Sequence, residues 1–235
     1  MEPEKSTVRT KRLTSMRKVI AQRMCESLTQ TAQFTLTREM DVDVLLEYIQ
    51  EQKDAGQKVK LMHVLIKATA SLLKEHEMLN ASIDGTNLLL HDTVNMGVAV
   101  ALPGGLLVPV VRDADTHTVT EIGKSYEALV AKARTGRIPL DEMSGATFTI
   151  SNLGMAGIDG FTPIVNYPEA GILGVGRTNQ RLYLDENGTV RTKRTIVFSL
   201  TVDHRVVDGY TGAQFLASLA DVLSDKEKLL CALEA

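Results

Sequence analysis

Thr195-Ile-Val-Phe-Ser-Leu-Thr-Val202, running on into Asp203-His-Arg-Val-Val-Asp-Gly209, decides how this chain is read. The first run is apolar and rich in β-branched residues, the pattern of a buried strand. Thr211 to Leu223 reads as a helix. The strand therefore delivers His204 to its end, Asp208 follows four residues later, and Gly209 turns the chain. Imidazole exchanges protons near neutral pH, and strand-to-helix edges are places where pockets form. A histidine after an apolar strand is, taken alone, more often structural. Asp208 reads either as a partner that orients the ring or braces the loop, or simply as the cap of the next helix.

Working outward, the pattern predicts interleaved strands and helices without a regular βαβ period. Residues 1–13 are polar and read as an arm or linker end, and residues 14–235 as one domain. Ser15 is placed to cap a helix from Met16 to about Leu28. Phe34, Leu36, Arg38, Met40 and Val42 alternate like a half-buried strand. Asp43 to Asp54 reads as a helix closed by Gly56, and Leu61 to Lys74 as a second, strongly apolar helix. Ala81–Ile83 and Asn87–Leu90 flank Asp84-Gly85, a hairpin-turn signal. Val94–Ala101 and Leu106–Val111 flank Pro103-Gly104-Gly105. Thr120 to Arg134 reads as a helix ended by Gly136, and Thr147–Ser151 and Gly171–Val175 as strands. Arg181–Leu184 and Val190–His204 form a hairpin around Glu186-Asn187-Gly188, and two helical stretches end the chain. The expected class is an α/β two-layer sandwich with a mixed β-sheet and flanking helices.

Ser151 ends a strand next to the glycine-rich segment 152–160, where a hydroxyl can donate into a pocket or merely cap a loop. No Gly-x-Ser-x-Gly elbow surrounds it, so a hydrolase nucleophile is not indicated. The glycines at 154, 157 and 160, and at 171, 174 and 176, keep neither the dinucleotide-binding nor the P-loop order, and read as turns and close packing. His63 sits among Leu61, Met62, Val64 and Leu65 and reads as a core or interface histidine. His76, His91 and His117 read as solvated, and Cys25 as a buried thiol. No histidine pair has metal-ligand spacing with a supporting carboxylate, so no metal is expected.

Composition narrows the function classes. A net charge of −3 over 235 residues gives no bulk attraction to nucleic acid or to an anionic membrane. Trp is absent and aromatics make up 4%, so stacking platforms for single strands are scarce. No apolar run approaches the roughly 20 residues of a membrane span. The N-terminus is polar rather than signal-like, and two cysteines make no disulfide framework. A reducing compartment rather than a secreted setting is the expectation.

The stretch Ser199 to Gly209 resembles the active-site signature of dihydrolipoamide acyltransferases, the E2 components of 2-oxo acid dehydrogenase complexes. Three further segments match that family in the same order. They are Met16-Arg-Lys-Val-Ile-Ala-Gln-Arg-Met24, Leu106-Leu-Val-Pro-Val-Val-Arg-Asp-Ala-Asp115, and Phe148-Thr-Ile-Ser-Asn-Leu-Gly154 continuing to Pro163-Ile-Val-Asn166. The resemblance runs from about Arg12 to the C-terminus. It implies a chloramphenicol acetyltransferase-like fold and a homotrimer whose active sites lie between subunits, with trimers able to build a 24- or 60-subunit core. His204 would come from one subunit and Ser151 from the next. Coenzyme A would enter the channel from one side and a dihydrolipoyl group, carried on a separate lipoyl domain, from the other.

The resemblance assigns His204 as general base toward the coenzyme A thiol and Ser151 as hydrogen-bond donor to the carbonyl oxyanion. Asp208 would brace the loop, paired with Arg17 of the first helix. It implies an acetyl group, no metal, and E1 and E3 components met through domains absent from this sequence. No residues that contact coenzyme A are marked. Two other functions compete: a small-molecule O-acetyltransferase of the chloramphenicol acetyltransferase type, and a non-catalytic assembly core.

Overall fold

The computed structural model describes residues 8–102 and 104–234; residues 1–7 of the expected arm and Pro103 of the expected turn lie outside them. Six strands form the main sheet: β1 (Gln33–Asp41), β4 (Met96–Val98), β7 (Val110–Val111), β8 (Phe148–Asn152), β9 (Gly171–Leu184) and β10 (Val190–Asp203). Their order is β1-β10-β9-β8-β4-β7. β8 runs parallel to β9 and to β4, and the other neighbours are antiparallel, so the sheet is mixed as expected. β2 (Ala81–Asp84) with β3 (Asn87–Leu90), and β5 (Val100–Leu102) with β6 (Gly105–Leu107), form separate two-stranded ribbons.

Alternation along β10 suits its interior place in the sheet, between β1 and β9. Ile196, Phe198, Leu200 and Val202 are fully buried in the main apolar core, while Thr195, Ser199 and Thr201 line the opposite face. A bulge between Ile196 and Phe198 adjusts the register without breaking the pattern. Each apolar side chain so buried contributes about 1.5–3 kcal/mol before chain entropy is counted. The hydroxyl face is buried too, and there Thr35 and Thr201 bond across strands at 2.7 Å between hydroxyl oxygens.

Helices α2 (Asp43–Asp54), α3 (Leu61–Glu75), α4 (Val119–Arg134), α5 (Gly209–Ser224) and α6 (Lys226–Glu234) pack together beside the sheet, with α3 and α5 most deeply buried. α4 opens with a reciprocal Thr118–Glu121 capping box and closes on Gly136 at φ 67°. α1 (Ser15–Gln30) behaves differently: only Ser27 is buried, its hydroxyl donating to Val165 O at 2.6 Å. Met16, Val19 and Leu28 stay exposed.

Several local expectations change. The cap of α1 is Thr14, which accepts from the Arg17 N–H, so the helix starts one residue before the expected Met16. The expected strand from Val94 to Ala101 breaks at Ala99, and β5–β6 leaves the main sheet. β9 continues far beyond Val175, because β10 pairs with it along the whole length to Leu184↔Val190. Cys25 is exposed rather than buried, since α1 turns little of its surface toward the core. His76, His91 and His117 are half-buried rather than solvated. His76 sits 3.2 Å from the Ser218 hydroxyl and edge-on to Phe215, His91 3.0 Å from the Ser82 hydroxyl, and His117 2.8 Å from Asp113 O.

Candidate active site

His204 sits immediately beyond β10, in the turn that leads into α5. Its side chain is exposed, and its backbone N–H donates to Ala32 O at 2.9 Å. The Phe34 ring lies against the imidazole, with centroids 4.5 Å apart and planes tilted by 37°. The neighbouring Asp203 is buried, and its carboxylate accepts from the Ala32 N–H at 3.1 Å and the Arg205 N–H at 3.1 Å. The Arg205 guanidinium binds the same carboxylate in two-toothed fashion, at 2.6 Å from Nη2 and 3.0 Å from Nε. Burial pushes the Asp203 carboxyl up, but the bonds from Arg205 and Ala32 outweigh it and hold the group below the usual carboxylate range.

Asp208 caps α5, its carboxylate accepting the Thr211 N–H at 2.7 Å, and that bond is the leading cause of its lowered pKa. The expected Arg17 partner is elsewhere: Arg17 Nη2 donates to Gly104 O at 3.0 Å, and among the described residues it makes no ion pair with Asp208. The cap reading of Asp208 is therefore the one the single chain supports. The reason is local: an aspartate three residues before a free helical N–H satisfies a donor that otherwise has no partner.

Ser151 lies half-buried near the end of β8. It pairs with Gly174 of β9, and Gly174 pairs with Ser199 of β10, so Ser151 and Ser199 share one row across the sheet. His204 is five residues further along β10, in the direction opposite to that of β8. At about 3.3 Å per residue and about 4.8 Å per strand, Ser151 and His204 are roughly 19 Å apart along the sheet. One chain thus holds the two groups near the carboxyl ends of two oppositely directed interior strands and does not bring them together.

The Ser151 end of β8 carries features that the sequence did not mark. Segment 152–160 crosses over β9 so closely that a Cβ on Gly176 would lie 1.9 Å from Asp159 O. Asp159 then binds Arg177 Nε at 2.7 Å and Asn179 Nδ2 at 2.9 Å. Asn152 Nδ2 approaches Met62 Sδ at 3.3 Å, which brings the start of α3 beside the end of β8. A cavity of ≈570 Å3 lies between segment 56–60, His63 of α3 and the first turns of α4, lined by Lys58, Lys60, His63, Lys124 and Glu127 among others. His63 forms its inner wall, packed so tightly on Gly123 that a Cβ there would meet its ring at 2.6 Å. Burial pushes the His63 imidazole down, against the opposing pull of Glu127. Lysine spacing in a polar loop carries no motif, so only the fold could reveal this basic cavity.

The chain matches the family model of 2-oxoacid dehydrogenases acyltransferase (catalytic domain) over residues 5–231. It is 37% identical, over 93% of its length and 56% of the relative's, to the dihydrolipoyllysine-residue acetyltransferase component of the acetoin cleaving system of Bacillus subtilis. It is 38% identical, over 93% and 56%, to the dihydrolipoyllysine-residue succinyltransferase component of the 2-oxoglutarate dehydrogenase complex of Rickettsia felis. The chain spans just over half the length of these curated relatives. A solved cubic core of the pyruvate dehydrogenase multienzyme complex superposes with a TM-score of 0.90 at 33% identity, covering 98% of each chain. Chloramphenicol acetyltransferase shares the fold, at a TM-score of 0.53 and 16% identity over 86% of this chain and 94% of its own. By the family model that covers nearly its whole length and by these relatives, the chain belongs to the catalytic-domain family of the 2-oxoacid dehydrogenase acyltransferases.

Proposed function

We propose that this domain, from α1 to the C-terminus, transfers an acetyl group between a dihydrolipoyl group on a separate lipoyl domain and coenzyme A. It does so as the core of a 2-oxo acid dehydrogenase complex, with E1 and E3 components reached through other domains. The observation that carries the reading is the separation of His204 and Ser151, near the carboxyl ends of two oppositely directed strands of one sheet. A head-to-tail ring of three copies seats the His204 turn of one chain against the Ser151 loop of the next, and such a heterologous contact closes on itself. The exposed apolar residues of α1, Met16, Val19 and Leu28, suit burial against a neighbour.

In the resulting channel the neutral His204 imidazole takes the proton of the coenzyme A thiol, whose ordinary pKa of about 8.5 keeps it protonated at neutral pH. The sulfur adds to the thioester carbonyl carbon, and negative charge develops on the carbonyl oxygen. The Ser151 hydroxyl donates to that oxygen, an interaction worth about 3–4 kcal/mol where water is excluded. The carbon–sulfur bond to the dihydrolipoyl group then breaks, and its sulfur receives the proton from His204. No acyl-enzyme forms; holding both thiols in one channel supplies the proximity. The cavity between segment 56–60 and α4, where Lys58 and Lys124 stand beside the Lys60–Glu127 pair, suits the phosphates of coenzyme A. Exposed free thiols at Cys25 and Cys231 suit a reducing compartment, cytoplasm or mitochondrial matrix.

Subunit mixing tests the shared site. His204→Ala and Ser151→Ala chains are each nearly inactive alone. Unfolded together in equal amounts and reassembled, about one quarter of their interfaces pair an intact His204 with an intact Ser151. Recovery of about a quarter of the parent activity supports the reading; mixtures no more active than the single variants refute it. A panel of acetyl, propionyl, isobutyryl and succinyl coenzyme A against dihydrolipoamide decides the acyl group.

A further inference from the structure

Asp203 is used by neither the acyl-transfer chemistry nor the helix cap, yet it is the most heavily bonded residue around His204. Its N–H donates to Ala170 O, and its carbonyl accepts from the N–H groups of Val206 and Val207, each at 2.9 Å. Both carboxylate oxygens are engaged by Ala32, Arg205 N and the Arg205 guanidinium. With the side chain only 3% exposed, water does not compete for these bonds. Ala32 closes the arrangement: its N–H reaches the Asp203 carboxylate while its carbonyl receives the His204 N–H. This two-point clip joins the start of β1 to the histidine turn. The same strand, two residues on, supplies the Phe34 ring against the imidazole face.

We propose that Asp203, through its clip to Ala32 and Arg205, and Phe34, through its ring contact, are the positioning residues of His204. The clip fixes the backbone from which the imidazole projects, and the Phe34 ring restricts the imidazole plane. Asp208 acts one turn away as the cap that starts α5. The assignment rests on His204 being the proton-transfer group of the proposed reaction. A displacement of about 1 Å at a reacting group lowers turnover by about a hundredfold, so partial loosening lowers it by a smaller factor.

Three variants test it, read by turnover and by the rate of His204 carbethoxylation with diethyl pyrocarbonate at one pH, followed by peptide mass spectrometry. Phe34→Leu keeps an apolar side chain and removes the flat ring. It should lower kcat about tenfold with both KM values within about twofold, and should raise the carbethoxylation rate. Asp203→Asn keeps an acceptor for Ala32 but removes the charge that holds the Arg205 guanidinium. That loosens the turn from which His204 projects, so kcat should fall and the carbethoxylation rate should rise. Arg205→Lys gives the same turnover readout without the two-toothed bond, should Asp203→Asn fail to assemble. Parent-like kcat and carbethoxylation in Phe34→Leu, together with parent-like kcat in the clip variant, overturn the proposal. Carbethoxylation does not depend on acyl transfer. Altered labelling in a protein that transfers no acetyl group would therefore sink the functional reading and leave the positioning assignment standing.

Discussion

Replacing Glu169 by glutamine should make the protein markedly more resistant to unfolding at neutral pH than at mildly acidic pH, relative to its parent. Glu169 is 3% exposed, at the floor of a ≈310 Å3 cavity between α1 and segments 143–146 and 166–169. It accepts from the Thr149 hydroxyl and from Asn166 Nδ2, each at 2.6 Å, and no salt bridge reaches it among the described residues. Burial pushes its pKa up to about 8, against the opposing effect of those two bonds. A folded-state value above the ordinary one near 4.5 means that the folded protein holds this proton more tightly than the unfolded chain. The stabilisation is complete below the unfolded value and is lost as pH rises toward and through about 8. Between about pH 5 and pH 7.5 the parent should lose roughly 3 kcal/mol from this group, at about 1.4 kcal/mol per unit. Glutamine keeps the shape and has no such dependence. Other titrating groups are common to both proteins and cancel in the comparison. Urea unfolding of both at equal chain concentration and several pH values measures the difference. If the two stability curves run parallel within about 1 kcal/mol, Glu169 is not held as the neutral acid and the reasoning fails.

Other outcomes follow from the geometry. His204→Ala should lower kcat for acetyl transfer by about 10²–10⁴-fold with little change in unfolding midpoint, because the side chain is exposed and acts on a proton. Ser151→Ala should lower kcat by about 10²–10³-fold while leaving KM for either thiol nearly unchanged, since the hydroxyl acts on charge that exists only in the transition state. Gly176→Ala should destabilise the fold by about 2 kcal/mol or more, seen as a lower denaturant midpoint, because backbone at Asp159 occupies the site of the new methyl. Lys124→Glu should raise KM for coenzyme A several-fold and flatten its salt dependence if the basic cavity holds phosphates; an unchanged KM rejects that placement.

Local physics made much of this molecule legible from its residues. Apolar and hydroxyl residues alternate along β10, the Asp84-Gly85 turn closes β2 on β3, and Gly136 ends α4. Each follows from interactions within a few residues. The four matched segments identified the family for the same reason, since a motif is a local record. Strand order is different in kind. It depends on pairings between distant segments, and no window of sequence states that β8 runs opposite to β10 two strands away. That single fact sends the strand ends carrying Ser151 and His204 in opposite directions. Burial of a polar group is equally non-local. Asp203 and Asp208 look alike in the sequence, yet the start of β1 covers one and solvent covers the other. Residue chemistry and local period thus came from the chain itself. Which groups face one another, and which carboxyl keeps or loses its proton, was decided by long-range packing, because desolvation and pairing exist only once distant segments meet.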